Sequence, residues 1–189
     1  MCIITLFFTP FVLASSSAIA ANEDEIIKIE INDKMIALNR EMNRLEFKLA
    51  MQSNSVNKDE ITENLIKKYD GAEATYLMKS GGSWSEKLVN GGYNVYATNK
   101  NGLSYLRDYL GANAMGFRLN GAIYGAMVGG VIGAVCGFFG AGLLATRLDQ
   151  GATDIKKWIS KGSNNGGARM TVSAHFPISS LNSIIQAAV

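Results

Sequence analysis

The feature that most constrains this chain is an uncharged stretch, residues 119–146, in which glycine recurs at every fourth position. Residues four apart lie on one face of an α-helix, so such a row forms a groove along which another backbone can approach closely. We therefore predict a glycine-zipper helix over residues 118–148. Its row comprises Gly121, Gly125, Gly129, Gly133 and Gly137, and Ala141 continues it with the next smallest side chain.

The environment of this segment follows from its energetics. As one helix it is roughly 42 Å long, more than the roughly 30 Å of a bilayer core. In water, each glycine destabilises a helix by about 1 kcal/mol relative to alanine. A bilayer or a tightly packed partner therefore has to offset this cost. Three interpretations stay open: a membrane-inserting segment, a glycine-rich helical hairpin in a soluble core broken near Gly129 and Gly130, or a poorly ordered region.

The N-terminus resembles an export signal. The first 21 residues carry no charged side chain and run from an apolar block into the small-residue sequence Ala18-Ile19-Ala20. This pattern predicts a signal peptide over residues 1–20 and a mature chain that begins near Ala21. Because no Lys or Arg precedes the apolar block, two alternatives stay open: a start codon placed too far downstream, or an uncleaved anchor.

Charge is divided unevenly between the two halves of the chain. Residues 22–70 contain 11 acidic and 8 basic residues, whereas the remainder contains 5 acidic and 10 basic ones. The glycine-rich half is thus cationic, which favours an anionic membrane surface, and it has no basic-aromatic patch of the kind that binds nucleic acid. The residues predicted to contact lipid head groups and the membrane interface are Arg118, Arg147, Lys156, Lys157, Trp158 and Lys161.

The remaining periodicities predict a mainly α fold with a few short strands, of class α+β. Residues 21–70 form a charged amphipathic helical region, with a strand at 27–31 and helices over 35–49 and 57–69. Residues 71–117 form a mixed region punctuated by Gly and Asn, with strands at 74–78 and 93–98, an ambiguous segment at 83–90 and a short helix at 103–110. Residues 149–189 hold a basic helix, a loop, a strand at 170–176 and a C-terminal helix.

Residues suited to catalysis are scarce. His175 is the only histidine and is expected on a strand surface, while Cys136 is the only cysteine of the predicted mature chain and is expected to be a small buried hydrophobe. No hydrolase, phosphate-loop or metalloprotease motif occurs. We therefore expect no enzyme, no metal site and no cofactor.

The signal peptide, the charged helical first half and the run GFRLNGAIYGAMVGGVIGAVCG together give the chain a resemblance to secreted bacteriocin-like and toxin-like proteins of Gram-positive bacteria. The resemblance rests on composition and spacing over roughly residues 93–161. It implies an antimicrobial or toxin activity in which a cationic glycine-zipper segment inserts into a target membrane. It also implies a homo-oligomer formed through the zipper and a cognate immunity protein.

The leading hypothesis is therefore a secreted, non-catalytic protein that inserts into membranes and self-associates there, with lipid and not nucleic acid as its partner. The alternative is a resident single-pass surface protein of the bacterial cell membrane, in which the zipper is a stop-transfer helix and the preceding region binds outside the cell. A soluble binding domain follows from the hairpin interpretation.

Overall fold

The structure, a computed structural model, describes residues 26–44, 57–89, 91–128 and 130–179. Six strands form one antiparallel sheet whose spatial order follows the chain. They are β1 (Ile26–Ile31), β2 (Glu73–Met78), β3 (Ser83–Val89), β4 (Gly92–Ala97), β5 (Gly166–Met170) and β6 (His175–Ile178). The helices are α1 (Asp33–Met42), α2 (Lys58–Lys68), α3 (Lys100–Asn120), α4 (Ala122–Val128), α5 (Gly130–Phe139) and α6 (Ala141–Ser160).

The alternation of side chains along the strands separates an apolar face from a polar one. In the β2–β5 register, one face collects residues that are mostly apolar and that pack against the helices: Ala74, Tyr76, Trp84, Glu86, Leu88, Tyr93, Val95, Ala168 and Met170. The opposite face carries Glu73, Thr75, Ser85, Lys87, Asn94, Tyr96 and Arg169. All the helices from α3 to α6 lie in the connection between β4 and β5, and the long helices α3 and α6 pack against each other.

Asparagine caps begin three of the helices. The side chains of Asn32, Asn57 and Asn99 accept hydrogen bonds from the third backbone amide that follows each of them. An asparagine cap satisfies one of the amides that a helix N-terminus leaves without a partner. The helix that follows Asn57 confirms the helix predicted over 57–69.

The fold class predicted from the sequence is wrong in two respects. The class is α+β, but the few short strands of the prediction are six strands that form one antiparallel sheet. The strand predicted at 170–176 instead covers the end of β5, the turn at residues 171–174 and the start of β6, and residues 83–89 of the ambiguous segment form β3. The strand predicted at 27–31 is present as β1.

The long glycine-zipper helix is the second error. The helix breaks at Gly121, where φ is +57°, and at Gly140, where φ is +72°. Between these breaks α4 ends at Val128 and α5 begins at Gly130. Positive φ is open to glycine but costly for other residues, so these breaks fall where the sequence permits them. Within the described residues no helix is both long and apolar enough to cross a membrane. The segment instead folds back on itself, with α4 packed against α5.

Some predictions concern residues outside the described ranges. These are the signal peptide at 1–20, the end of the amphipathic helix beyond residue 44, and the C-terminal helix beyond residue 179.

Candidate functional site

The glycine row lies at contacts within the chain. A Cβ atom placed on Gly133 would lie 2.7 Å from the carbonyl oxygen of Gly125, and one on Gly125 would lie 2.7 Å from the Sγ atom of Cys136. These two glycines therefore allow α4 and α5 to approach closely, as the hairpin interpretation expected. Of the other row positions, Gly121 ends α3, Gly137 is half-buried in α5, Ala141 begins α6, and Gly129 lies outside the described residues.

Four of the predicted head-group residues are engaged within the protein. Arg118 forms an ion pair with Asp149. Arg147 donates from Nε to the carbonyl oxygen of Thr171 over 2.9 Å and from Nη2 to that of Val172 over 2.7 Å. Its guanidinium therefore holds the turn that leads from β5 into β6.

Lys157 and Trp158 are engaged in the same way. The Lys157 ammonium lies 3.0 Å from Oδ1 of the buried Asp154. The indole Nε1 of Trp158 donates to the carbonyl oxygen of Gly167 over 3.0 Å, and a Cβ atom on Gly166 would collide with the ring. Trp158 is thus a half-buried contact between α6 and β5.

The structure does not gather the predicted cations into one patch. Arg118 pairs with Asp149 in the first half of α6, whereas Lys161 follows the end of that helix. Positions 149 and 161 are twelve residues apart in the sequence, which is about 18 Å along the helix axis. Lys156 and Lys161 are exposed at the far end, so a single head-group site made of all five cations is not formed.

An apolar surface that the sequence analysis missed lies at the turn between α3 and α4. Met115 is 57% exposed, Leu119 is 73% exposed and Ile123 is 72% exposed. Met115 and Leu119 are one helical turn apart on α3, and Ile123 follows directly after the break at Gly121. We call these three residues the apolar turn. The dipeptide Asn120-Gly121 is a turn signal that could have located it.

Tyr124 fixes the position of this turn. Its hydroxyl donates to Oδ1 of Asn113 over 3.2 Å, and its ring meets that of Phe117 edge-on at 4.9 Å between centroids. A Cβ atom on Gly116 would lie 2.2 Å from the Tyr124 ring, so glycine is needed there. α4 is therefore anchored on one side of α3, and Ile123 is left facing solvent.

A buried carboxylate lies on the apolar face of the sheet. Glu86 is 2% exposed and accepts hydrogen bonds from Tyr76 through Oε1 over 2.8 Å and from Tyr93 through Oε2 over 2.6 Å. Burial raises the pKa of Glu86, although hydrogen bonds from Tyr93, Tyr76 and Tyr109 oppose the shift. The same burial raises the pKa of all three tyrosines well above the ordinary value.

Aromatic rings enclose this network. Trp84 stacks on Tyr76 with 4.0 Å between ring centroids and contacts Tyr105 and Tyr109. The arrangement can hold a proton within a hydrogen-bonded cluster, but the carboxylate is covered by the protein. We assign it to the core and not to a reaction.

A second buried carboxylate faces the single histidine. Asp154 is 1% exposed, and its Oδ2 lies 3.7 Å from Nε2 of His175. His175 is half-buried beside α6 and not simply on a strand surface as predicted. In a nucleophilic triad an aspartate orients a histidine, and a nucleophile lies within hydrogen-bond reach of the imidazole. The Asp154–His175 pair supplies the first two groups only, so we do not assign it a catalytic role.

Cys136 is buried as predicted, and burial raises the pKa of its thiol to about 11. A thiol with such a pKa is almost entirely protonated at neutral pH, so it is a poor nucleophile and a poor metal ligand. Across the described ranges, no group of three or more His, Cys, Asp or Glu side chains is placed to hold a metal ion.

Comparison with known proteins gives no relative for this arrangement. The chain matches no protein-family model, no curated protein sequence and no solved structure.

Proposed function

We propose that the chain is a secreted, non-catalytic protein that binds the surface of membranes through the apolar turn. The observation that supports this is the exposure of Met115, Leu119 and Ile123, each more than half exposed in a fold that buries most of its other large hydrophobic side chains. Exposed apolar patches of this kind mark sites of contact with membranes or proteins.

The charge around the turn favours a lipid surface over a basic protein partner. Residues 109–148 contain no acidic residue, and their charged side chains are Arg118 and Arg147. Arg118 lies next to Leu119 and forms an ion pair with Asp149, but its side chain is 53% exposed, so it can exchange this partner for a lipid phosphate once the apolar side chains enter the interface. Each of these side chains contributes up to about 1.5–3 kcal/mol when it is fully removed from water.

In this proposal the glycine row has a structural role. α4 packs closely on α5 at Gly125 and Gly133, and Tyr124 anchors α4 on α3. These contacts hold the apolar turn in a fixed position on the surface. The protein then binds without a membrane-spanning helix.

The test is vesicle binding by the double variant Leu119→Asp/Ile123→Asp, measured by co-sedimentation with zwitterionic and anionic vesicles. We expect its affinity for both compositions to fall by about tenfold or more, because two apolar contacts are lost. Replacing the same two residues by Trp should raise the affinity, since indole rings favour the membrane interface.

A matched control separates lost apolar contact from added negative charge. The double variant Thr153→Asp/Ser160→Asp adds the same two charges at exposed positions on α6, and it should keep most of the affinity for zwitterionic vesicles. The proposal is wrong if the wild-type chain binds neither kind of vesicle, or if the Leu119 and Ile123 variant binds as the wild type does.

A further inference from the structure

Strand β1 presents an apolar stripe at the edge of the sheet. Ile27 is 65% exposed, Ile29 is 53% exposed and Ile31 is 44% exposed. β1 pairs with β2 on one side, and among the described residues no strand lies on its other side. Edge strands with exposed apolar side chains tend to pair with another strand, and proteins commonly block such edges.

The backbone of β1 is oriented for such pairing. The amide of Asn32 donates to the carbonyl oxygen of Glu73 on β2 over 3.2 Å. Backbone groups of successive residues in a strand point in alternate directions within the sheet. The amide and carbonyl groups of Ile29 and Ile31 therefore point toward the free edge.

The sequence of β1 is complementary to itself when two copies run antiparallel. If Ile29 lies on a two-fold axis, it faces Ile29 of the second copy, and Ile27 faces Ile31. The same register places Lys28 opposite Glu30, on the other face of the sheet. Apolar side chains thus meet apolar ones, and opposite charges meet twice in each pair of strands.

We propose that β1 pairs with β1 of a second copy of this chain in this register, which joins two six-stranded sheets into one. The reciprocal backbone hydrogen bonds are made by Ile29, and the Lys28–Glu30 contacts set the register. This interface is distinct from the apolar turn, and it does not depend on membrane binding.

One local irregularity limits the length of the pairing without preventing it. The β1–β2 register shifts between Ile26 and Lys28, which is a β-bulge. Bulges twist an edge away from a partner strand, but this one lies at the start of β1. From Lys28 to Ile31 the strand is regular. The Ile29–Ile29 and Lys28–Glu30 pairs use only this part, and only the outer Ile27–Ile31 pairs involve the bulged residue.

Charge reversal tests the register. Lys28 and Glu30 are exposed and also pair within the chain over 2.7 Å, so their variants should not disturb the core. Lys28→Glu alone or Glu30→Lys alone places like charges opposite each other twice, and we expect dimer dissociation constants about tenfold higher, measured on the full chain by sedimentation velocity. The double exchange, Lys28→Glu with Glu30→Lys, should restore the wild-type value.

A second pair of variants tests the apolar side of the interface. Ile29→Lys places two ammonium groups on the axis and should give monomer. Val172→Lys also replaces an exposed β-branched apolar side chain by lysine, at a position outside β1 and the apolar turn, and should leave the dimer intact. The inference is overturned if the wild-type chain stays monomeric up to millimolar concentration, if Ile29→Lys dimerises like the wild type, or if the double exchange fails to restore the dimer that single reversals weaken.

Discussion

At the scale of single residues, Glu86 is the group whose energetics depend most on the fold. Its carboxylate leaves water for a site made of aromatic rings, which is costly for an ion, and the tyrosine hydroxyls return only part of the lost hydration. The pKa of Glu86 is raised because the effect of burial exceeds that of the hydrogen bonds. The folded protein therefore holds a proton on Glu86 at pH values where the unfolded chain has lost it.

The pH dependence of stability follows from this difference. Below the ordinary pKa of about 4.3, Glu86 is protonated in both states and its burial carries no charge penalty. As pH rises from there through the raised folded-state pKa, the unfolded chain loses the proton first, so the free energy of unfolding decreases.

The variant Glu86→Gln removes this titration while it keeps a polar group of similar shape. We expect the stability of the variant relative to wild type to increase as pH is raised from 4 toward 7, measured by urea unfolding at each pH. Glu63→Gln, at an exposed glutamate on α2 that forms an ion pair with Lys67, is the control for the loss of a carboxylate from the surface. A constant difference between the Glu86 variant and wild type would mean that burial does not shift the pKa.

At the scale of elements, the sequence predicts those whose signals are local. The strand predicted at 27–31 and the helix predicted at 57–69 are both of this kind, and both are confirmed, as β1 and α2. β3 was ambiguous because Glu86 occupies a position that faces the core, and only tyrosines from β2, β4 and α3 make that position acceptable to a carboxyl group. No local pattern contains that information.

Strand β5 was missed for a related reason. Its first two residues are glycines, which are uncommon in strands. A Cβ atom on Gly167 would lie 1.9 Å from the carbonyl oxygen of Val95 on β4, so the glycine is required by a contact with a residue far away in sequence. The apolar turn was missed because it exists only once the helix breaks at Gly121.

The α4–α5 contact gives a prediction for the glycine row. Gly133→Ala would place a methyl group 2.7 Å from the Gly125 carbonyl oxygen, so the helices must move apart. We expect the free energy of unfolding to fall by about 1–3 kcal/mol, as for other overpacked cores. The measurement is chemical denaturation, with membrane binding recorded on the same samples.

Gly111→Ala is the matched control, because this glycine lies inside α3 and nothing lies within 4 Å of an added Cβ atom. It should stabilise the protein by about 0.5–1 kcal/mol through helix propensity alone. If Gly133→Ala stabilises the protein to the same extent, the glycine row is not a packing surface.

At the scale of the whole molecule, the sheet has short connections between β2 and β3, β3 and β4, and β5 and β6, whereas α1 and α2 lie between β1 and β2 and all four helices α3–α6 lie between β4 and β5. Helix α5 is the centre of this insertion and packs on α1, α2, α4 and α6 as well as on β3 and β4. Its buried side chains include Val131, Ile132 and Val135. If α5 left its place, a cavity would remain in the core. The free energy of unfolding would then fall by several kcal/mol, which is comparable with the total stability of a typical domain.

The proposed membrane contact should therefore leave the fold intact. In hydrogen–deuterium exchange with and without vesicles, we expect vesicles to slow exchange at residues 115–123 only. The strands β3 and β4 and helix α5 should exchange at unchanged rates, because the apolar turn is already exposed and no core helix has to leave its place. The Leu119→Asp/Ile123→Asp variant, under the same conditions, should show no slowing. Faster exchange across β3 and β4 in the presence of vesicles would show instead that binding unfolds the domain and that α5 enters the lipid.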